Sequence, residues 1–501
     1  MSNNEANPPS EDNIASVNSN DVGNRARKGV KWTALQIIAR NLLSLGTTAV
    51  LARLLSPSDF GLVGMVATLT ALLMVFSDMG LSWATIQRKQ LNKIQVSNLF
   101  WINFGVGVFL WLICILGSPA VANFYNQQEL VAITAALGAG FVLSGIAAQP
   151  MALLNRTMNY KAAAQVEVFA IVIGAIFALV AAFSGLGYWA LVVQSLSTGI
   201  ARVLLALPMS KIQISKPRRG VGTLSLVTFG GMLAINGLLI YIARNLDSVL
   251  IGKYWGAEEL GFYNRAYFLM LLPSMLATGV LTNLMVPSLS ALQDDKERFA
   301  NAYRKALKMI ALIGCPMALG FALTADEMVK LIYGSQWQEV VPLLIWLSIA
   351  SVTQPLYNTT GWLFTAVGKA KAYLWLTVIS GALLSVSFYL ALPYGALGIA
   401  KAYGIVMGIV IFFPALWLAH KVADLSFIQS LKELLPVAIS LIAMTFTVIA
   451  VEKIANILQL TWYSILITKI ITGVASYTLV AFLLMRKFVL ESVFSMFKHR
   501  L

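Results

Sequence analysis

Residues 163–184 read AAQVEVFAIVIGAIFALVAAFS. From Val168 to Phe183 the stretch carries no charge at all. A helix rises about 1.5 Å per residue, so roughly 20 apolar residues cross the hydrocarbon core of a bilayer. Comparable stretches are read at about 32–55, 60–80, 97–117, 130–150, 187–209, 222–243, 266–290, 303–324, 341–365, 372–392, 395–419, 434–451 and 461–485. The expected fold is all-α and integral to a membrane, with about fourteen transmembrane helices. The least regular spans are 266–290, interrupted by Pro273 and Pro287, and 130–150, rich in Ala and Gly. Loss of the last two spans would leave a twelve-helix protein.

Composition agrees. Of the 501 residues, 58% are hydrophobic and 11% charged, far from a soluble mixture. The net charge of +15 raises the question of nucleic acid. No basic face with interleaved aromatics appears, so no nucleic-acid partner is expected. Cys114 and Cys315 both lie in apolar runs, which supports neither a disulfide framework nor a Cys metal site. His420 and His499 fall in a loop and a tail without acid partners. There is no HExxH pair and no GxxxxGK[ST] loop, so no metal or cofactor is expected and ATP is not the direct driver. Residues 1–24 are rich in Asn, Ser, Glu and Asp and read as a disordered tail, not a cleavable signal peptide.

Orientation follows from the basic residues, which favour cytoplasmic loops. With the N-terminus inside, most of the 36 Lys and Arg residues fall on the inner side. Arg53, Arg244, Lys253, Arg265, Lys330 and Lys453 fall outside. Both termini are therefore expected in the cytoplasm, with an even number of spans. The chain also repeats itself. RLLSPSDFG, Arg53–Gly61, is echoed by KYWGAEELG, Lys253–Gly261. Phe124-Tyr125-Asn126 is echoed by Ile332-Tyr333-Gly334, and both are followed by apolar runs ending in Gln149-Pro150 and Gln354-Pro355. An even number of spans between the copies makes the repeats parallel, a build common in transporters with a site between the halves. The expected organisation is a first six-helix lobe over 25–209, a basic linker over 210–221, a second lobe over 222–420, and two extra helices with a cytoplasmic tail over 421–501.

Lys28-Gly29-Val30-Lys31-Trp32 and the segment LARLLSPSDFG, Leu51–Gly61, resemble the opening signature of polysaccharide exporter (PST) proteins. These are Wzx-type lipid-linked oligosaccharide flippases of the MOP exporter superfamily, and the resemblance is to the colanic acid and teichuronic acid exporter branch. ARNLD, Ala243–Asp247, and GFYNRAY, Gly261–Tyr267, resemble that family's second-half signature. The resemblance covers about 28–485. It implies two pseudo-symmetric six-helix lobes, a central cationic cavity and alternating access in a bacterial cytoplasmic membrane. It implies as cargo undecaprenyl-pyrophosphate bearing a short sugar repeat unit, with polysaccharide polymerase and export proteins as further partners beside membrane lipid.

Charges within spans are costly and mark sites. Arg40 lies about 12 Å into the bilayer from the inner side at 1.5 Å per residue. Facing a wet cavity, it could grip a diphosphate with its fork of N–H donors; the alternative is a structural contact. Arg202 lies at similar depth and either joins that site or pairs with Glu167. Arg53 and Arg244 sit near outer helix ends. They are candidates for an outer gate or anion site, although Arg244 and Asp247 are spaced for a local ion pair. Asp78 is read as an ion-coupling group or as a partner of Arg88 or Arg40. Lys401 is expected to snorkel, and Lys469 lies in a helix outside the repeat. Gln149 and Gln354 precede the matched prolines and could meet sugar hydroxyls or make helix-packing hydrogen bonds.

Three functions compete for these residues. A flippase suits deep arginines. A drug or cation antiporter of the same superfamily would need buried Asp or Glu. A membrane glycosyltransferase or polymerase would need a large loop with catalytic acids, and the longest outer loops, about 244–265 and 325–340, are small. The protein is expected not to be an enzyme.

Overall fold

Ser56, Pro57 and Asp59 show how these helices begin. The Ser56 hydroxyl accepts from the Asp59 backbone N–H at 3.2 Å, and the Asp59 carboxylate accepts from the Ser56 backbone N–H at 2.9 Å. This reciprocal pair satisfies donors that a helix start leaves open, with proline in the first turn. The same logic opens a later helix at Asn92, whose side chain and Gln95 form a capping box.

The computed structural model describes residues 19–77, 80–87, 91–218, 224–278 and 281–498. Among these the chain is helical and no strand forms. The helices are α1 Ser19–Leu54, α2 Pro57–Ser77, α3 Leu81–Gln87, α4 Lys93–Tyr125, α5 Glu129–Arg156, α6 Tyr160–Phe183, α7 Trp189–Ser210, α8 Leu224–Thr278, α9 Leu281–Ser290, α10 Lys296–Leu323, α11 Ala325–Ile332, α12 Val340–Ala366, α13 Ala370–Ala391, α14 Gly395–Ile405, α15 Phe412–Val422, α16 Phe427–Ile457 and α17 Trp462–Lys498. Among the described residues, eleven helical stretches are long and apolar enough to cross a membrane. One of them, Ala370–Val422, takes in two of the expected spans. Large apolar side chains such as Leu116, Phe183 and Ile457 stand mostly exposed. Water would penalise that surface, and hydrocarbon does not.

Several expectations change in detail. The helix expected over 266–290 is described in two stretches, the end of α8 up to Thr278 with Pro273 and α9 from Leu281 with Pro287. α8 is itself kinked at Gly256, whose φ of 87° suits a residue without a Cβ. α1 starts at Ser19, so it takes in the end of the polar segment 1–24. His420, expected in a loop, is buried in α15, between the Leu416 carbonyl at 2.7 Å and the Ser430 hydroxyl at 2.8 Å. The linker Lys211–Arg218 is strapped to the start of α4. Ser97 Oγ donates to the Ser215 carbonyl, and Asn98 exchanges two hydrogen bonds with the Arg218 backbone at 2.7 and 2.9 Å.

Two compact units result, Met1–Gly261 and Phe262–Leu501. The first holds both copies of the first repeated motif, and they touch reciprocally. A Cβ on Gly61 would fall 1.6 Å from the Ala257 carbonyl oxygen, and one on Gly261 would fall 2.0 Å from the Pro57 carbonyl oxygen. Pro57 and Ala257 are themselves repeat equivalents, so each copy offers a glycine to the other's helix start. Backbones approach this closely only where side chains are absent.

In the second unit, α8 is tied to α12 by Ser351 Oγ donating to the Met270 carbonyl at 2.7 Å and Asn358 Nδ2 donating to Ser274 Oγ at 3.0 Å. The closing pair α16–α17 is held by charge. Lys469 is 3% exposed and lies 2.8 Å from Glu327 of α11 and 3.2 Å from Glu452 of α16. Its ammonium also donates to the Leu323 carbonyl at 3.2 Å.

Candidate functional site

Arg40 and Arg202 come from α1 and α7 and line one cavity of about 590 Å³ in the first unit. The walls follow helical periodicity. Arg40 and Ser44 lie one turn apart on α1. Val63, Ala67, Thr70, Ala71 and Met74 form one stripe of α2. On α7, Leu191, Gln194, Ser195, Thr198 and Arg202 recur at three- and four-residue steps. α5 adds Gly140, Phe141 and Ser144, and α6 adds Ile171. α6 and α7 pack closely because position 174 is glycine: a Cβ there would lie 1.9 Å from Thr198 Oγ1.

Arg202 does both things the sequence allowed. It lines the cavity, and its Nη2 lies 2.9 Å from Glu167 Oε2 of α6. Side-chain exposure is 32% for Arg202 and 18% for Glu167, so this pair is not dry. Arg202 Nε is buried without a partner, so the guanidinium is incompletely satisfied by Glu167. Arg40 is exposed. Among the described residues no Asp or Glu lines the cavity. Two guanidinium groups against the one carboxylate bound to Arg202 leave a positive excess. The threonines spend their donors on their own helices, Thr70 on Val66 and Thr198 on Gln194, and present oxygen lone pairs. The chamber can therefore take an anion by its arginines and hydroxyl groups by its Ser, Thr and Gln side chains.

The other expected residues lie elsewhere. Gln149 is fully buried away from this lining, and its carbonyl oxygen accepts from Thr85 Oγ1 at 2.8 Å. Arg156 donates to the Thr85 backbone at 2.7 Å, so both pin α3 to α5. Gln354 belongs to α12 in the second unit, with its Oε1 buried and unpartnered. Arg53 is exposed in the last turn of α1. Asp247 is buried, and its Oδ1 accepts from the Ser248 backbone at 2.7 Å. Asp78 and the side chain of Arg244 lie outside the described residues. Lys401 stands exposed with its ammonium 5.4 Å from the Trp346 ring centre. Sequence reading missed Ser44, Thr70, Ser144, Gln194, Ser195 and Thr198. The polar steps preceding Arg202 on α7 were the available signal.

The family described as "Polysaccharide biosynthesis protein" matches residues 50–342. This chain belongs to that family. It is 28% identical to the teichuronic acid biosynthesis protein TuaB of Bacillus subtilis (strain 168), over 79% of this chain and 83% of the relative. It is 26% identical to the lipopolysaccharide biosynthesis protein WzxC of Escherichia coli (strain K12), over 68% of this chain and 70% of the relative. Its fold is similar to that of the lipid II flippase MurJ in an inward closed conformation. The TM-score is 0.73 at 16% identity, covering 91% of this chain and 99% of MurJ. An inward-facing MATE family multidrug resistance transporter of the MOP superfamily has a TM-score of 0.54 at 18% identity, covering 82% of this chain and 97% of the transporter. The expected MOP-type all-α fold is thus the fold observed.

Proposed function

We propose that this protein moves undecaprenyl-pyrophosphate-linked oligosaccharide repeat units across the bacterial cytoplasmic membrane for surface polysaccharide biosynthesis. One observation carries the reading of the site: two intramembrane arginines from separate helices line one chamber whose described walls hold no acid and set Ser, Thr and Gln side chains among apolar ones. A volume of about 590 Å³ falls in the usual range of small-ligand pockets, enough for a charged headgroup and not for a polyprenyl chain. Arg40 and Arg202 bind the pyrophosphate from the inner side, using a planar donor fork that lysine lacks. Ser, Thr and Gln side chains receive sugar hydroxyls while the lipid tail stays in hydrocarbon. Alternating access of the two six-helix lobes proposed over 25–209 and 222–420 exposes the chamber to one side and then the other, with both termini cytoplasmic. A polymerase and export proteins take the product. The family membership and the relatives named above support this reading, as does the charge asymmetry of the loops.

Antiport of cationic drugs is the second reading, supported by the MATE-like fold. A positive chamber repels such a substrate, so we rank it below.

The test is made in cells that need the exporter for surface polymer. Arg40→Ala and Arg202→Ala should each abolish surface polymer while the protein stays in the membrane at normal level. Normal polymer from both variants would remove the proposed site.

A further inference from the structure

A second charged recess lies in the second unit. It has a volume of about 410 Å³ and forms where the start of α16, the end of the α17 span and the middle of α10 meet. Lys308, Lys432 and Arg486 supply its cations and Glu433 its only acid among the described lining residues. Glu433 is already engaged, in an ion pair with Lys308. Lys308 is only 17% exposed, and its ammonium also lies 4.7 Å from the Phe488 ring centre. Lys432 and Arg486 are exposed and have no acidic partner among the described residues. α17 breaks its helical geometry at Met485, φ −128° and ψ 29°, just where Arg486 and Phe488 enter the recess.

Apart from Gln429 the remaining wall is apolar: Pro436, Leu484, Met485 and Phe488. Leu435 and Leu483 beside it are 56% and 69% exposed, a surface that only hydrocarbon tolerates. Cations at the rim and an acyl-compatible wall next to them match an amphiphile with an anionic head. A free anion would need no such wall. Basic pockets between transmembrane helices on the cytoplasmic side take anionic lipid headgroups by this combination.

We propose that this recess binds the phosphate of an anionic glycerophospholipid of the inner leaflet, held by Lys432 and Arg486. Lys308 is the inner post, fixed by Glu433 and Phe488. The leaflet assignment rests on the orientation proposed above; the binding itself does not.

The experiment is native mass spectrometry of the detergent-solubilised full chain titrated with phosphatidylglycerol or phosphatidylcholine. Wild type should retain phosphatidylglycerol in preference to phosphatidylcholine. Lys432→Gln/Arg486→Gln should weaken phosphatidylglycerol binding by on the order of tenfold or more, since each interfacial cation contributes about fivefold. Lys432→Arg/Arg486→Lys, which keeps the charge, should retain it. Both positions are exposed, and an unchanged thermal unfolding temperature would show that the variants fold. Equal phosphatidylglycerol occupancy in wild type and the Gln variant would overturn the proposal. So would equal retention of phosphatidylcholine, displacement by millimolar inorganic phosphate, or stronger binding of a polyprenyl pyrophosphate at this recess. Detergent removes sidedness, so a failure here leaves the orientation standing. Accessibility of a C-terminal tag in intact cells tests that separately.

Discussion

The pairing of Arg202 with Glu167 sets the electrostatics of the chamber. Both groups are partly exposed, so the pair is worth about 1 kcal/mol and not the several of a dry one. Glu167 thus competes with any anion that approaches Arg202. Replacing it by the near-isosteric Gln should tighten binding of a pyrophosphate-bearing lipid to purified protein by about fivefold. Unchanged or weaker binding in a titration of Glu167→Gln would show that the carboxylate supports the site instead of occupying it. Lys469 is the contrasting residue, because its cluster with Glu327 is nearly dry. Lys469→Ala strands a buried carboxylate and should cost about 3–5 kcal/mol, read as a lowered unfolding temperature or loss from the membrane. Lys469→Met with Glu327→Gln should recover much of that loss, and no recovery would argue against the charge as its cause. The charged groups were legible as residues because an intramembrane charge is conspicuous. Their partners were legible only in part. Glu167 stands on the next helix in sequence, whereas Glu327 reaches Lys469 from 142 positions away, by a fold that no local pattern encodes.

At the scale of helices, the reciprocal glycines are the most specific packing device. A Cβ at Gly61 or Gly261 would enter a backbone carbonyl, and a carbonyl cannot rotate aside as a side chain can. Gly261→Ala should therefore destabilise the protein by about 1–3 kcal/mol or more. Gly46→Ala is the control, since nothing lies within 4 Å of the added carbon and alanine favours a helix. Thermal unfolding of the two purified variants checks both, and equal stability would contradict the close approach. Apolar length revealed most of the helices, because bilayer thickness imposes it. It did not reveal α3 or α11, which are too short to cross and are fixed by tertiary contacts such as Gln149 and Arg156 on Thr85. Nor did it reveal the π-helical segment Val406–Ile411, which sits inside one continuous apolar run. Gly408 there meets the Ile349 backbone, so a tertiary contact lies at the irregular turn.

For the whole molecule, the internal repeat was readable because it recurs as motifs in order, and the contact between Gly61 and Gly261 segments shows two of those motifs packed together. In the proposed mechanism the loop charges set the orientation and the arginine chamber holds the cargo headgroup. What no periodicity could supply was that Arg40 and Arg202, far apart in sequence, would face one space together with a row of hydroxyls. That convergence is the central claim, and binding to purified protein tests it most directly. A polyprenyl-pyrophosphate oligosaccharide should bind wild type. Arg40→Ala and Arg202→Ala should each lose on the order of tenfold or more in affinity, the scale of a charge-assisted hydrogen bond. The same lipid without its pyrophosphate should bind all three proteins alike. Equal affinity of wild type and both variants for the pyrophosphate lipid would contradict the account.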